Sequence, residues 1–271
     1  IIVVDDGSSD NSTEFVRQNF KNIRVIALKK NKGFAHAVNT GVENAKGEYV
    51  VLLNSDVAPR ENYLKNVRVS FAESDTFAVG FEDQSHENSK VVKRGRGGAK
   101  FERGMFVHYK LPTTGGVETL WVSGGSGIFD KKKFLELGGF DTIYAPFYWE
   151  DIDLSYRAWK LGYKCMFSAD AKVDHMHEDG AIKETSTESK ITTTSYRNQF
   201  IFIWKNIDDE VLILEHLLFL PYHLARAILA GDKNFVIGLA LAVLKVPFLI
   251  FSKKDVKNTV SDRELLKKFH E

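Results

Sequence analysis

Through the first half of the chain, short apolar runs rich in β-branched residues alternate with stretches of helical periodicity. Residues 1–4, 24–28, 49–53 and 77–81 read as strands, and 12–19, 34–45 and 61–73 as the helices between them. Strand and helix in alternation predict an α/β fold, a mostly parallel sheet flanked by helices. Residues 84–118 break the rhythm with Gly95, Gly97, Gly98, Gly104, Gly115 and Gly116 among basic residues, and predict a long surface loop or short hairpins, segments that often carry function. Beyond them, "WVSGGSGIFDKKKFLELGGFDTIYAPFYWEDIDLSYRAWKLGYKCMFSADAKVDHMH" gives a Gly-rich strand end, a helix, an acid cluster at the next helix start and a strand running into histidines. On the second of these helices Asp153 and Arg157 are four apart, which predicts a surface pair. Ile152, Tyr156 and Trp159 share one face there, and Leu154, Ala158 and Leu161 another.

Composition narrows the class. A chain of 271 residues, 44% hydrophobic and 12% aromatic, can bury a sizeable core as one large domain or one domain with an appendage. With 37 Lys+Arg against 36 Asp+Glu, the net charge of +1 points to no nucleic-acid partner. The single cysteine, Cys165, excludes an internal disulfide and fits a reducing compartment. No charged, apolar leader precedes the first strand, so a cytoplasmic location is expected.

Candidate chemistry begins at "VVDDGSSDNS". In open α/β sheets ligands bind beyond the carboxyl ends of the strands, so Asp5 and Asp6, placed after a strand and before a tight turn, stand at the ligand edge. The turn supplies Gly7, Ser8 and an Asp or Ser helix cap, and turn and cap chemistry alone also accounts for the stretch. A phospho-receiver domain shares this acid pair and an acid such as Asp56 after a later strand, but the densest chemistry here lies beyond residue 120. There Glu150 and Asp151 fall at a helix start behind "PFYW", a loop able to wall a cavity and keep a carboxylate poised; either acid is otherwise a cap. Asp153 has a structural explanation in Arg157.

Four motifs, "VVDDGSSDNS", "NKGFAHAVNTGVENAKGEYVVLLNSD", "VSGGSGIFDKKKFLELGGFD" and "YWEDIDLSYRAWKLGY", in this order and spacing resemble the GT-A type, family 2 inverting glycosyltransferases, in their rhamnosyltransferase-like branch, over about residues 1–180. The resemblance implies a GT-A (Rossmann-like), mostly parallel mixed sheet over 1–205, lacking the family's opening strand and first helix, and a helical C-terminal region over 206–271. It implies transfer of a sugar from a nucleotide-diphosphate sugar donor to a glycan or lipid-linked acceptor in bacterial cell-surface polysaccharide synthesis. A nucleotide-sugar binding module without turnover is the alternative.

The resemblance also assigns roles. Asp6 would accept a hydrogen bond from the donor base or ribose, Asp5, Gly7 and Ser8 would shape the turn, and Lys32 and Gly33 would lie close to the base and diphosphate. Asn54, Ser55 and Asp56 stand at the family's Asp-X-Asp element, whose first acid is replaced by asparagine. Asp56, a histidine and diphosphate oxygens would hold Mn²⁺ or Mg²⁺, hard ions that prefer oxygen with some imidazole. The histidine is His175 or His177, two residues apart on one strand face; a pair of surface histidines is the alternative. Gly124 and Gly125 would floor the donor sugar, Asp151 would be the base of a single displacement and Glu150 would bind sugar hydroxyls. Lys131, Lys132 and Lys133 read as a solvated helix start in preference to phosphate contacts.

The tail "VLILEHLLFLPYHLARAILAGDKNFVIGLALAVLKVPFLIFSKK" is apolar but interrupted by Glu215, His216, Pro221, Arg226, Asp232, Lys233 and Lys245. Its longest candidate span, 235–251, has 17 residues with Lys245 and Pro247 inside, at the lower limit for a bilayer. Interfacial helices in peripheral contact with anionic lipid are expected, with packing onto the catalytic region or a homodimer partner as the alternative.

Overall fold

The computed structural model of the chain describes residues 1–87, 90–114, 116–176, 186–252 and 258–270. Strand β1 (Ile2–Asp5) pairs parallel with β2 (Arg24–Ala27) across α1 (Ser12–Asn19), and α2 (Phe34–Asn44) leads on to the main sheet. That sheet orders β3 (Tyr49–Leu53), β9 (Ser126–Asp130), β5 (Thr76–Glu87), β10 (Lys164–His175) and β4 (Val57–Pro59), with β6 (Lys90–Arg94) beside β5. It is mixed: β5–β10 is parallel, while β3–β9, β5–β9, β10–β4 and β5–β6 are antiparallel. Helices α3 (Lys131–Glu136) and α4 (Glu150–Lys160) pack on β9 and β10, and α5 (Glu188–Asn206) packs on α4.

Two expectations need correction, and a third is resolved. Residues 61–73 form no α-helix: Asn62 takes a left-handed φ of 60°, and only a 3₁₀ turn, Val67–Phe71, follows. The β-branched Val67 and Val69 add little helix propensity to offset that break. Residues 84–118 resolve into hairpins: β5 continues to Glu87 and returns as β6, and β7 (Gly97–Glu102) pairs with β8 (Met105–Lys110). The Asp153–Arg157 pair exists, but it is buried, with Asp153 fully enclosed. Both apolar faces of α4 are covered, because β10 lies against one side and α5 against another.

One buried cluster runs from Ala35 and Val42 through Phe77, Phe129 and Phe140 to Leu154, Phe202, Ala227, Phe235 and Leu265. Helices α6 (Glu210–Leu229), α7 (Lys233–Val243), α8 (Val246–Ser252) and α9 (Asp262–Lys268) therefore share the core of the sheet. A buried polar knot anchors α9 to α4: the Asp262 carboxylate accepts from Tyr156 Oη at 2.6 Å, Lys160 Nζ at 2.6 Å and the N–H groups of Asp208 and Asp209 at 2.8 and 2.9 Å. The 235–251 stretch is not one helix, since α7 ends at Val243 and α8 starts at Val246. Among the described residues the helix long and apolar enough to cross a membrane is α6, 20 residues, and little of it is buried.

Candidate functional site

The carboxyl ends of β3, β5 and β10 and the start of β9 lie along one edge of the main sheet. The Asp5 carboxylate accepts the Ser8 N–H at 3.3 Å and so closes the turn that contains Gly7. Asp6 takes a different partner: its two oxygens accept the backbone N–H groups of Lys32 at 2.9 Å and Gly33 at 2.7 Å, pinning the "NKG" loop to β1. That loop is joined in turn to the segment ahead of α4, because Phe34 N–H donates to the Pro146 carbonyl at 3.1 Å.

Asn54 and Gly125 meet where β3 ends and β9 begins. Asn54 N–H donates to the Gly125 carbonyl at 3.0 Å, and the Asn54 side chain lies so close that a Cβ on Gly125 would stand 2.4 Å from it, which only glycine accommodates. The next N–H, of Gly124, donates to Asp151 Oδ2 at 3.3 Å. The predicted floor and the predicted base are thus in direct contact. Lys131 and Lys133 sit at the far end of β9, on the carbonyls of Ala45 and Thr76 and on Asp130, away from this edge.

Asp56 and His175 are brought together, with Asp56 Oδ2 3.3 Å from His175 Nε2. The other ring nitrogen, Nδ1, lies 2.6 Å from Asp83 Oδ2 on β5. Burial pulls the His175 pKa down, but the Asp83 and Asp56 carboxylates outweigh it and hold it above the ordinary imidazole value. Arg60 makes a two-pronged contact with Asp174, at 2.7 Å on each oxygen, which ties β4 to β10 beside the pair. A carboxylate and an imidazole Nε2 at the ligand edge, with a second carboxylate orienting the ring from behind, suit a divalent ion that completes its shell with phosphate oxygens and water. Among the described residues no third His, Cys, Asp or Glu closes a metal cage of protein ligands alone. His177 lies outside the described residues.

The acid pair opens α4 after two non-glycine residues in the left-handed region, Tyr148 at φ 72° and Trp149 at φ 79°. Strain of that kind persists only where surrounding structure imposes it, and it gathers at functional sites. The N-cap position belongs to Trp149, so neither acid is the N-cap residue. Burial, then the nearby Asp151 charge, pushes Glu150 up to about 8. Burial also raises Asp151, but the N–H groups of Gly124 and Ile152 oppose it by favouring the charged form. Of the two, it is Asp151 that accepts from the Gly124 N–H of the glycine floor.

Helix α5 supplies residues that the sequence reading did not single out. The buried Asn198 donates to the carbonyls of Tyr144, Phe147 and Tyr148 at 2.9, 3.0 and 2.8 Å, and Arg197 donates to those of Tyr144 and Ala145. Together they hold the loop that delivers Glu150. The polar "SYRNQ" directly ahead of the apolar "FIFIW" was the available signal.

Residues 1–135 match Glycosyl transferase family 2. The chain is 24% identical over 218 residues, 69% of its length and 31% of the relative's, to a chondroitin synthase of Escherichia coli. It spans about a third of the length of the curated relatives it matches. GalNAc-T7, solved with UDP, GalNAc and Mn²⁺, superposes with a TM-score of 0.62 at 16% identity, over 78% of this chain and 42% of that one. The mannosyltransferase PcManGT from Pyrobaculum calidifontis, solved with GDP-Man and Mn²⁺, superposes with a TM-score of 0.51 at 16% identity, over 93% of this chain and 78% of that one. The fold is that of the GT-A glycosyltransferases.

Proposed function

We propose that this chain, whose residues 1–135 carry a family 2 glycosyltransferase domain, transfers a sugar with inversion from a nucleotide-diphosphate sugar to a glycan or lipid-linked acceptor. The observation that carries the reading is the bridge from Asn54 through Gly125 and Gly124 to Asp151, which places a carboxylate across a bare backbone floor from the Asp56–His175 pair. The turn at Asp5–Ser8 and the "NKG" loop receive the nucleotide, with the Lys32 ammonium available to the diphosphate and Asp6 setting the loop. Asp56 and His175 would hold a divalent ion, Mn²⁺ or Mg²⁺, which when bound would neutralise charge on the departing diphosphate.

The proton chemistry belongs to α4. As the acceptor oxygen bonds to the anomeric carbon and the bond to diphosphate breaks on the opposite face, the hydroxyl proton passes to Asp151. Glu150, which burial keeps protonated at neutral pH, donates a hydrogen bond to a sugar hydroxyl beside it. Calorimetry tests the donor site: Asp56→Ala should abolish Mn²⁺-dependent binding of UDP-N-acetylglucosamine or GDP-mannose, and unchanged Mn²⁺-dependent affinity would refute the metal assignment.

The same reading places the enzyme at the inner face of the cell membrane. Leu214, Leu217, Leu218, Ile228 and Leu229 on α6 and Ile237, Leu241 and Leu244 at α7 are solvent-exposed, an apolar surface suited to the interfacial layer where lipid-linked acceptors reside. Release from membranes by alkaline carbonate is expected, and retention in the pellet would show a spanning segment instead.

A further inference from the structure

The β7–β8 hairpin has no part in the donor site, yet it runs from the apolar helix to Trp149, the residue that precedes the acid pair. Its tip is fastened to α6: Gly104 N–H donates to Glu215 Oε1 at 2.9 Å, His216 Nδ1 lies 2.6 Å from the Gly104 carbonyl, and His223 Nε2 lies 2.8 Å from the Arg103 carbonyl. A Cβ at Gly104 would stand 2.6 Å from the His216 Cα, so the contact is close backbone packing. Three of the polar residues on this side of α6 thus serve the hairpin.

Farther along β8, His108 sets its ring edge-on to two indoles, 5.0 Å from Trp149 and 5.4 Å from Trp121 between centroids. Trp149 is bonded to Glu150, and Trp121 precedes by three residues the Gly124 whose N–H holds Asp151. Two separate connections therefore link His108 to residues that flank the acid pair and its glycine floor. Its residue is exposed, Trp121 is partly exposed, and its imidazole makes no hydrogen bond among the described residues. The packing around the ring lowers its pKa, so the imidazole is neutral near pH 7, with one donor and one acceptor nitrogen. A solvent-facing aromatic surface with one free donor–acceptor group is the chemistry that receives a pyranose: apolar ring face against the indole, hydroxyl to the imidazole.

We propose that His108 and Trp121 form the acceptor subsite, taking a pyranose ring of the acceptor glycan and presenting its hydroxyl to Asp151. This rests on the transferase reading. It assigns the hairpin a function as the link between the membrane-facing helix and the reacting atoms.

Saturation-transfer difference NMR on the full chain, with the methyl pyranosides of glucose, galactose, mannose and N-acetylglucosamine as probes, tests it. At least one glycoside should bind, and His108→Ala should weaken it about tenfold. His108→Gln, which keeps a donor and an acceptor, should recover part of the loss. Trp121→Phe, which keeps an aromatic face over Gly97, should weaken it less than His108→Ala. No binding of any glycoside by the parent, or equal affinity in His108→Ala, overturns the subsite. Thermal shift by UDP-N-acetylglucosamine or GDP-mannose with Mn²⁺, on the same samples, separates the two readings: it persists in parent and variants if only the subsite is wrong, and is missing from the parent if the transferase reading fails.

Discussion

Within one turn of α4, three carboxylates occupy two opposite electrostatic worlds. Burial alone would raise all three. At Asp153 it is overridden by Arg157 at 2.8 Å and Lys205 at 2.8 Å, with Tyr144 and Asn206 also donating, and the carboxyl is held well below the usual range. At Glu150 and Asp151 no cation among the described residues answers the burial, and both are raised. The difference is not a matter of sequence neighbourhood or depth, which are nearly shared, but of which partners the fold delivers. An ionised, fully bonded Asp153 locks α4 to α5, whereas an acid pair whose pKa values are raised by burial is equipped to exchange a proton.

The sharpest way to break that contrast is Asp153→Asn. It leaves Arg157 and Lys205 enclosed without their counter-charge and should lower stability by about 3–5 kcal/mol, read from the denaturant midpoint at constant slope. A change within error would mean that the knot is not what anchors α4. A smaller effect at any one pH sharpens the other half. Because the folded-state pKa of Glu150, about 8, lies above that of an unfolded glutamate, its contribution to stability is fully present below the unfolded value and is lost as pH rises through about 8. The melting temperature of the parent should therefore fall from pH 5 to pH 8 relative to Glu150→Gln, and parallel curves for the two would show that Glu150 is ionised throughout.

Much of this was legible in the sequence, and the limits were physical. The strands at 24–28 and 49–53 and the helix at 12–19 read correctly because half-buried surfaces impose a period on their residues. Asp56, Gly124, Gly125, Glu150 and Asp151 could be singled out because they fall in motifs that resemble a known family, each near a strand end or helix start. Their supports could not. Asp83 orients His175 from 92 residues away, and Lys205 reaches Asp153 from 52 residues further on, separations at which no local period carries information. The i, i+4 spacing of Asp153 and Arg157 foretold their pairing, but not that α5 would cover it. The helix expected over 61–73 was lost to one left-handed asparagine, a backbone choice that composition does not announce.

Inversion with Asp151 as base can be followed through hydrolysis of an α-linked donor, UDP-N-acetylglucosamine, by ¹H NMR in the parent and in Asp151→Asn. Water then replaces the acceptor hydroxyl. The free sugar should appear first as the β-anomer, before mutarotation, and Asp151→Asn should release it about 10²-fold more slowly with donor affinity retained. Initial release of the α-anomer, or an undiminished rate in Asp151→Asn, would contradict it.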